Sequence, residues 1–162
     1  HYPLRRQRQM CIRDSICRSP IAEGLLRHYL KQEKLDKAVR VDSAATHDDM
    51  LGSRVDDRAR KVALKIDVDL GRRKSKKIKP KDYAKFDYIL AMDRNNYELL
   101  LEQCPPEFIS KLSLILSYLD EVDNFDVPDP YYGSVAGFEK VCGLLDRAVK
   151  AFAEKCLVQL EQ

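Results

Sequence analysis

The sequence is short of the features that announce a specialised environment. Nowhere in its 162 residues is there an apolar run long enough to span a bilayer, so no membrane association is expected. The N-terminus is basic but has no apolar stretch of the kind a secretory signal needs. Five cysteines are an odd number and no two stand as Cys-x-x-Cys, which argues against both a disulfide framework and a zinc ribbon. Reduced thiols and a cytoplasmic location are the expectation. Of three histidines, His28 and His47 have no partner at ligand spacing, so no metal is expected. A net charge of +3 is too mild to indicate nucleic acid as a partner. No internal repeat is present. What remains is a chain 44% apolar and 34% charged, suited to one soluble domain with a substantial core.

The most informative stretch is Ile16-Cys17-Arg18-Ser19-Pro20-Ile21-Ala22-Glu23. Pro is pre-set for the first helical position and Ser19 is suited to cap it. The N–H groups of a first helical turn lack partners inside the helix and carry the positive end of its dipole. A loop running into such a start is an anion site, and Arg18 adds a planar, permanently charged fork. Taken alone, the same residues describe an ordinary helix start with an exposed Arg. A second string changes the balance: Pro128-Asp129-Pro130-Tyr131-Tyr132-Gly133 holds an acid between prolines, then two aromatics. An anion cradle, an acid and aromatic walls together suggest cleavage of an aromatic phosphate ester.

Four strings, Cys17-Arg18-Ser19-Pro20-Ile21-Ala22-Glu23, Asp42-Ser43-Ala44-Ala45-Thr46, Asp87-Tyr88-Ile89-Leu90-Ala91-Met92-Asp93 and Asp129-Pro130-Tyr131-Tyr132, occur in that order. With their spacing, the chain resembles the low molecular weight protein tyrosine phosphatases from about Ile16 to near its C-terminus. The resemblance implies a single three-layer α/β domain around a central parallel sheet of about four strands. It implies hydrolysis of aryl phosphate monoesters through a phosphocysteine, without metal or organic cofactor. The substrate would be a phosphotyrosine protein or a small aryl phosphate, and the protein a monomer. In this reaction a thiolate attacks phosphorus, an Arg clamps the phosphoryl oxygens, and a carboxylic acid protonates the leaving oxygen before activating water. The matching positions are Arg18 for the clamp and Asp129 for the acid. Ser15, Ile16, Cys17 and Ser19 fall in the phosphate loop, the last supporting the thiolate by its hydroxyl. Tyr131 and Tyr132 fall at the mouth, and Ser43 and Asp93 among the supporting residues.

The resemblance fails before Ile16, so the chain divides into an atypical basic segment, 1–15, and a phosphatase-like domain, 16–162. Family members carry an apolar first strand here, whereas His1 to Ser15 is polar and rich in Arg. A central parallel strand should be a near-continuous apolar run. The segment therefore reads as a basic tail with a compromised first strand, its positive charge coming from Arg5, Arg6, Arg8 and Arg13. Its wording, Arg8-Gln9-Met10-Cys11-Ile12-Arg13-Asp14-Ser15, is that of translated sequencing adaptor joined to a genuine reading frame. Resequencing the locus tests this: the same fifteen codons in an independent clone would rule it out. The family spacing Cys-x5-Arg places the nucleophile at Ile12. Cys11, the candidate nucleophile, lies one residue too early, giving Cys-x6-Arg. Asp14 and Ser15 replace Gly and Asn, adding a negative charge and removing easy access to positive φ. Impaired turnover is the expectation. Two other functions compete: a catalytically dead module that binds phosphate or phosphotyrosine, and an arsenate reductase, which needs further cysteines to relay a disulfide.

Periodicity supplies the setting. Ile21, Leu25, Leu26, Tyr29 and Leu30 form a helical stripe. Val39-Arg40-Val41 leads a short strand into the turn at Asp42–Thr46. Asp56 or Asp57 caps a helix bearing Ala59, Val62, Ala63 and Leu64, with Arg58, Arg60 and Lys61 on a solvated face. The basic run from Leu70 to Lys81 reads as a solvated loop or a device for steering anions. Asp87–Met92 is a strand, Asn95–Gln103 a helix ended by Pro105-Pro106, and Lys111–Leu116 a strand. A long helix follows within 133–162. Cys104, Cys142 and Cys156 read as packing residues.

Overall fold

The computed structural model describes residues 18–44, 55–71, 76–120, 122–130 and 133–157, together with the backbone of 8–13. Strands β1 (Arg8–Arg13), β2 (Val39–Ala44), β3 (Tyr88–Ala91) and β4 (Leu112–Leu114) make one parallel sheet in the order β2-β1-β3-β4. Helices α1 (Arg18–Gln32), α2 (Asp57–Leu64), α3 (Pro80–Lys85), α4 (Arg94–Gln103) and α5 (Val135–Cys156) complete the α/β domain. None is long and apolar enough to cross a membrane.

The alternation along β3 shows how both faces are covered. Leu90 and Met92 join a core with Ile21, Leu26 and Leu30 of α1 and Phe138, Leu145 and Phe152 of α5. Ile89 and Ala91 join a second core with Tyr83 of α3, Phe86 and Leu100 of α4. Period-two alternation sends neighbouring side chains to opposite layers, so an unbroken apolar run is what a doubly covered strand requires. The apolar stripe of α1 turns inward as its spacing predicts, with Ile21, Leu25, Leu26 and Leu30 buried. Gly24 lets α1 come close to the chain beyond α2, since a Cβ there would meet Leu70 Cδ2 at 2.4 Å.

Several expectations are corrected. The segment read as a basic tail contributes β1, a central strand. Its apolar centre, Met10 to Ile12, is paired on both sides, whereas Arg8 and Gln9 pair only with β2. Parallel pairing needs only backbone donors and acceptors, so polar residues can take part: Arg8 and Gln9 have one neighbour, and Arg13 has two. Helix α1 begins at Arg18, so Ser19 and Pro20 fall inside its first turn rather than at its edge. The last strand stops at Leu114 and gives way to a 3-10 turn over Ile115–Tyr118. Lys79-Pro80 starts α3 inside the run read as loop: Pro80 opens the helix, and Asp82 Oδ2 accepts the Lys79 N–H at 2.7 Å. Arg58 is not simply solvated. It folds back on Asp56, which caps α2 by accepting the Arg58 N–H at 2.8 Å, and its guanidinium lies 4.6 Å from the Phe138 ring centroid.

Candidate active site

The sheet order locates the site before any side chain is considered. From β1 the chain moves one way to β2, then returns to the other side of β1 to lay down β3. Ligands of such sheets occupy the crevice beyond the C-terminal ends of the two strands flanking this reversal. Arg18 follows the end of β1 and Asp93 follows the end of β3.

These two residues meet. Arg18 is only 4% exposed, and its Nη1 donates to Asp93 Oδ2 at 2.9 Å and to the Val127 carbonyl. Asp93 in turn caps α4, its Oδ1 accepting the Asn96 N–H at 2.8 Å. A cation in the first turn of a helix opposes the dipole. Here an acid and a carbonyl hold it against that field, in a place where an anion would relieve it. Beside it, Ser19 is 1% exposed and its Oγ has no hydrogen-bond partner among the described residues. A buried hydroxyl without a partner is costly unless something else completes it.

The loop carrying Asp129 is tied to the same place. The Val127 N–H donates to the Met92 carbonyl at 2.9 Å, and the Val127 carbonyl is the one that receives Arg18. Asp126 accepts the Arg94 N–H at 2.8 Å, a second tie to the end of β3. Asp129 follows Val127 by two positions and is exposed. Two residues of chain reach at most about 7 Å, so its Cα stays within that distance of Val127. The sequence offered no signal for the Val127 carbonyl, because a backbone acceptor has no side-chain signature.

Ser43 belongs to a neighbouring network. Its Oγ donates to Glu23 Oε2 at 2.6 Å, while Arg27 donates to Glu23 Oε1 at 2.8 Å and to the Val41 carbonyl. This network fastens α1 to β2. Glu23 and Arg27 were not singled out from sequence, although their i,i+4 spacing is the signal that could have found them.

The backbone register locates the two positions considered for the nucleophile. Ile12 stands level with Ser43 and Leu90; Cys11 stands one step earlier, level with Asp42 and Ile89. Leu90 belongs to the α1 layer and Ile89 to the opposite one. The remaining loop candidates Ser15, Ile16 and Cys17, and the tyrosines Tyr131 and Tyr132, lie outside the described residues. The other three thiols are packing groups. Burial pushes Cys142 up to about 11, and burial likewise raises Cys104 and Cys156, the reverse of what a thiolate nucleophile needs.

Comparison with known proteins bears on the family and the fold. The family model described as low molecular weight phosphotyrosine protein phosphatase matches residues 9–161. The low molecular weight phosphotyrosine protein phosphatase of Mus musculus is 36% identical over 147 residues, covering 87% of this chain and 89% of that one. The Synechocystis protein slr0328 is 38% identical over 135 residues, covering 83% and 85%. A crystal structure of the protein tyrosine phosphatase of Entamoeba histolytica, with Hepes in its active site, superposes with a TM-score of 0.88. It is 30% identical, and the match covers 97% of this chain and 100% of that one.

Proposed function

Since the chain belongs to the low molecular weight phosphotyrosine protein phosphatases, hydrolases of phosphoric monoesters, we propose that the crevice beyond β1 and β3 binds the phosphoryl group of a phosphotyrosine or small aryl phosphate. The observation that carries this reading is the buried Arg18 at the start of α1, held by Asp93 and by the loop that bears Asp129.

The chemistry follows from those positions. The Arg18 guanidinium clamps phosphoryl oxygens and follows their charge through transfer, while the N–H groups of the α1 first turn add the helix dipole. A cysteine thiolate attacks phosphorus in line; the S–P bond forms as the P–O bond to the aryl group breaks. The Asp129 carboxyl gives its proton to the departing oxygen. Water then attacks phosphorus, Asp129 takes its proton, and the S–P bond breaks to release phosphate and thiolate. The Ser19 hydroxyl donates to that thiolate as it leaves. A reducing cytoplasm suits such a thiol.

The chain performs this cycle poorly, because the position for the thiolate holds Ile12. Cys11, at the register of Ile89, is one strand position short of it. A phosphate-binding module that turns over slowly is the reading this register favours for the chain as it stands. Hydrolysis of p-nitrophenyl phosphate tests it. Rebuilding the loop with Ile12→Cys, Asp14→Gly and Ser15→Asn should raise kcat on the order of 10³-fold or more, the scale of restoring a nucleophile. Equal rates before and after rebuilding, or a phosphocysteine trapped on Cys11, would overturn the impairment. No hydrolysis by the rebuilt chain would overturn the assigned roles.

A further inference from the structure

A second feature lies beside the crevice on the β2 side, where a cleft of about 440 Å³ separates the end of β2 from the stretch leading through α3. Six basic side chains line it, Arg40, Lys76, Lys77, Lys79, Lys81 and Lys85, against two acids, Asp42 and Asp82. The acids are already engaged: Asp42 lies 3.6 Å from Arg40, and Asp82 accepts the Lys79 N–H. The lysines are exposed, and the buried Phe86 contributes an apolar wall. The lining carries four more positive than negative groups, which exceeds the +3 of the whole chain. The rest of the chain is thus close to neutral, at −1, and the cleft carries a local excess of positive charge. Low-dielectric walls focus such a field.

Its position gives the field a purpose. Ser43 and Ala44 form part of the cleft and stand level with Ile12 and Arg13, the last residues of β1 before the turn toward Arg18. Adjacent strands are about 4.8 Å apart, so the cleft begins roughly one strand's width from the chain that enters the phosphate site.

We propose that this cleft receives acidic residues flanking the phosphotyrosine of a protein substrate, and that it selects substrates by the charge of that flank. The proposal rests on the phosphatase reading for its neighbour, not for its charge. A short acidic peptide suits a single confined concavity of about 440 Å³ with an apolar wall at Phe86, whereas a long polyanion or a charged membrane calls for an extended basic surface.

Peptide binding by fluorescence anisotropy separates the elements. Four peptides are compared: acidic without phosphotyrosine, phosphotyrosine with a neutral flank, phosphotyrosine with an acidic flank, and neutral without phosphotyrosine. The acidic flank should tighten binding of the phosphotyrosine peptide about tenfold at low salt, with the gain shrinking as salt screens it. Lys79→Glu/Lys81→Glu/Lys85→Glu should remove that gain while leaving the neutral-flank phosphotyrosine peptide unchanged. Lys61→Glu/Lys140→Glu/Lys150→Glu, the same charge change on α2 and α5, should retain it. Salt-sensitive binding of the acidic peptide without any binding of the neutral-flank phosphotyrosine peptide would uphold the cleft and sink the phosphate site. Equal affinity for the acidic and neutral flanks would overturn the proposal. So would tighter binding of single-stranded DNA or phosphatidylserine vesicles that is lost in the cleft variant.

Discussion

Helix α1 carries two arginines that are bonded in the same style and do opposite things. Arg18 and Arg27 each grip a carboxylate and a backbone carbonyl: Asp93 and Val127 for the first, Glu23 and Val41 for the second. Arg27 keeps 42% of its side chain exposed and pairs within its own helix, so it can be solvated when unpaired. Arg18 has 5% of its side chain exposed and stands in the first turn, where the dipole disfavours a cation. The second arginine fastens a helix to a strand. The first holds a charge in a place that costs free energy until an anion arrives. Similar bonds thus mark a structural site in one case and, on the proposed function, a binding site in the other; burial together with helix position tells them apart.

The strongest way to break this contrast is Arg18→Ala. Added inorganic phosphate should raise Tm of the parent chain through mass action and should leave the variant unmoved. Arg18→Lys should fail to restore the shift, since a point charge cannot supply the two-pronged grip. A phosphate-dependent shift in Arg18→Ala would abolish the distinction.

At the other arginine, the prediction is one of stability alone. Glu23→Ala removes the acceptor shared by Ser43 and Arg27 and should cost about 2 kcal/mol in urea unfolding. The phosphate-induced rise in Tm should survive. If it disappears, the two networks are coupled and the contrast fails.

The next effect concerns pH and comes from the core away from both arginines. Cys142 is 4% exposed, and its thiol is pushed up to about 11 by burial, with Asp146 adding to the shift. Below the ordinary thiol range both folded and unfolded chains keep the proton, and this stabilisation is complete. Between about 9 and 11 the unfolded chain releases the proton first, so stability falls with rising pH, by on the order of 2 kcal/mol. Urea midpoints across that range should flatten in Cys142→Ala.

The smallest effect should be at the α2 cap. Asp56→Ala removes the acceptor of the Arg58 N–H and should cost about 1 kcal/mol. It should leave phosphate binding intact.

How far the sequence spoke depends on what each residue uses to hold its place. The stripe of α1 and the run at Tyr88–Ala91 were legible because apolar spacing reports burial directly. Asp56 was legible because a capping acid precedes a helix. Arg18 and Asp93 were picked out as functional, yet their 2.9 Å bond joins positions 75 residues apart, and spacing alone does not encode such a meeting. The Val127 carbonyl was invisible for the reason that any residue type could supply it. β1 was misjudged because the apolar rule was applied to its whole length. Only Met10 to Arg13 lies between two neighbours, so Arg8 and Gln9 were counted against a constraint that does not reach them, while Arg13 pairs on both sides through its backbone. In α3, Pro80 after Lys79 was an available start signal, hidden by the basic run around it.

One residue ties the proposed phosphate clamp to the stretch that bears the proposed acid. Val127 takes the guanidinium on its oxygen, hangs from Met92 by its nitrogen, and stands two residues ahead of Asp129. On the proposed function, a shift of Arg18 toward an arriving phosphoryl group would pull on the span that carries Asp129. Occupancy and aim would then share one tether, and a small aryl phosphate and a large phosphoprotein would pull on it alike.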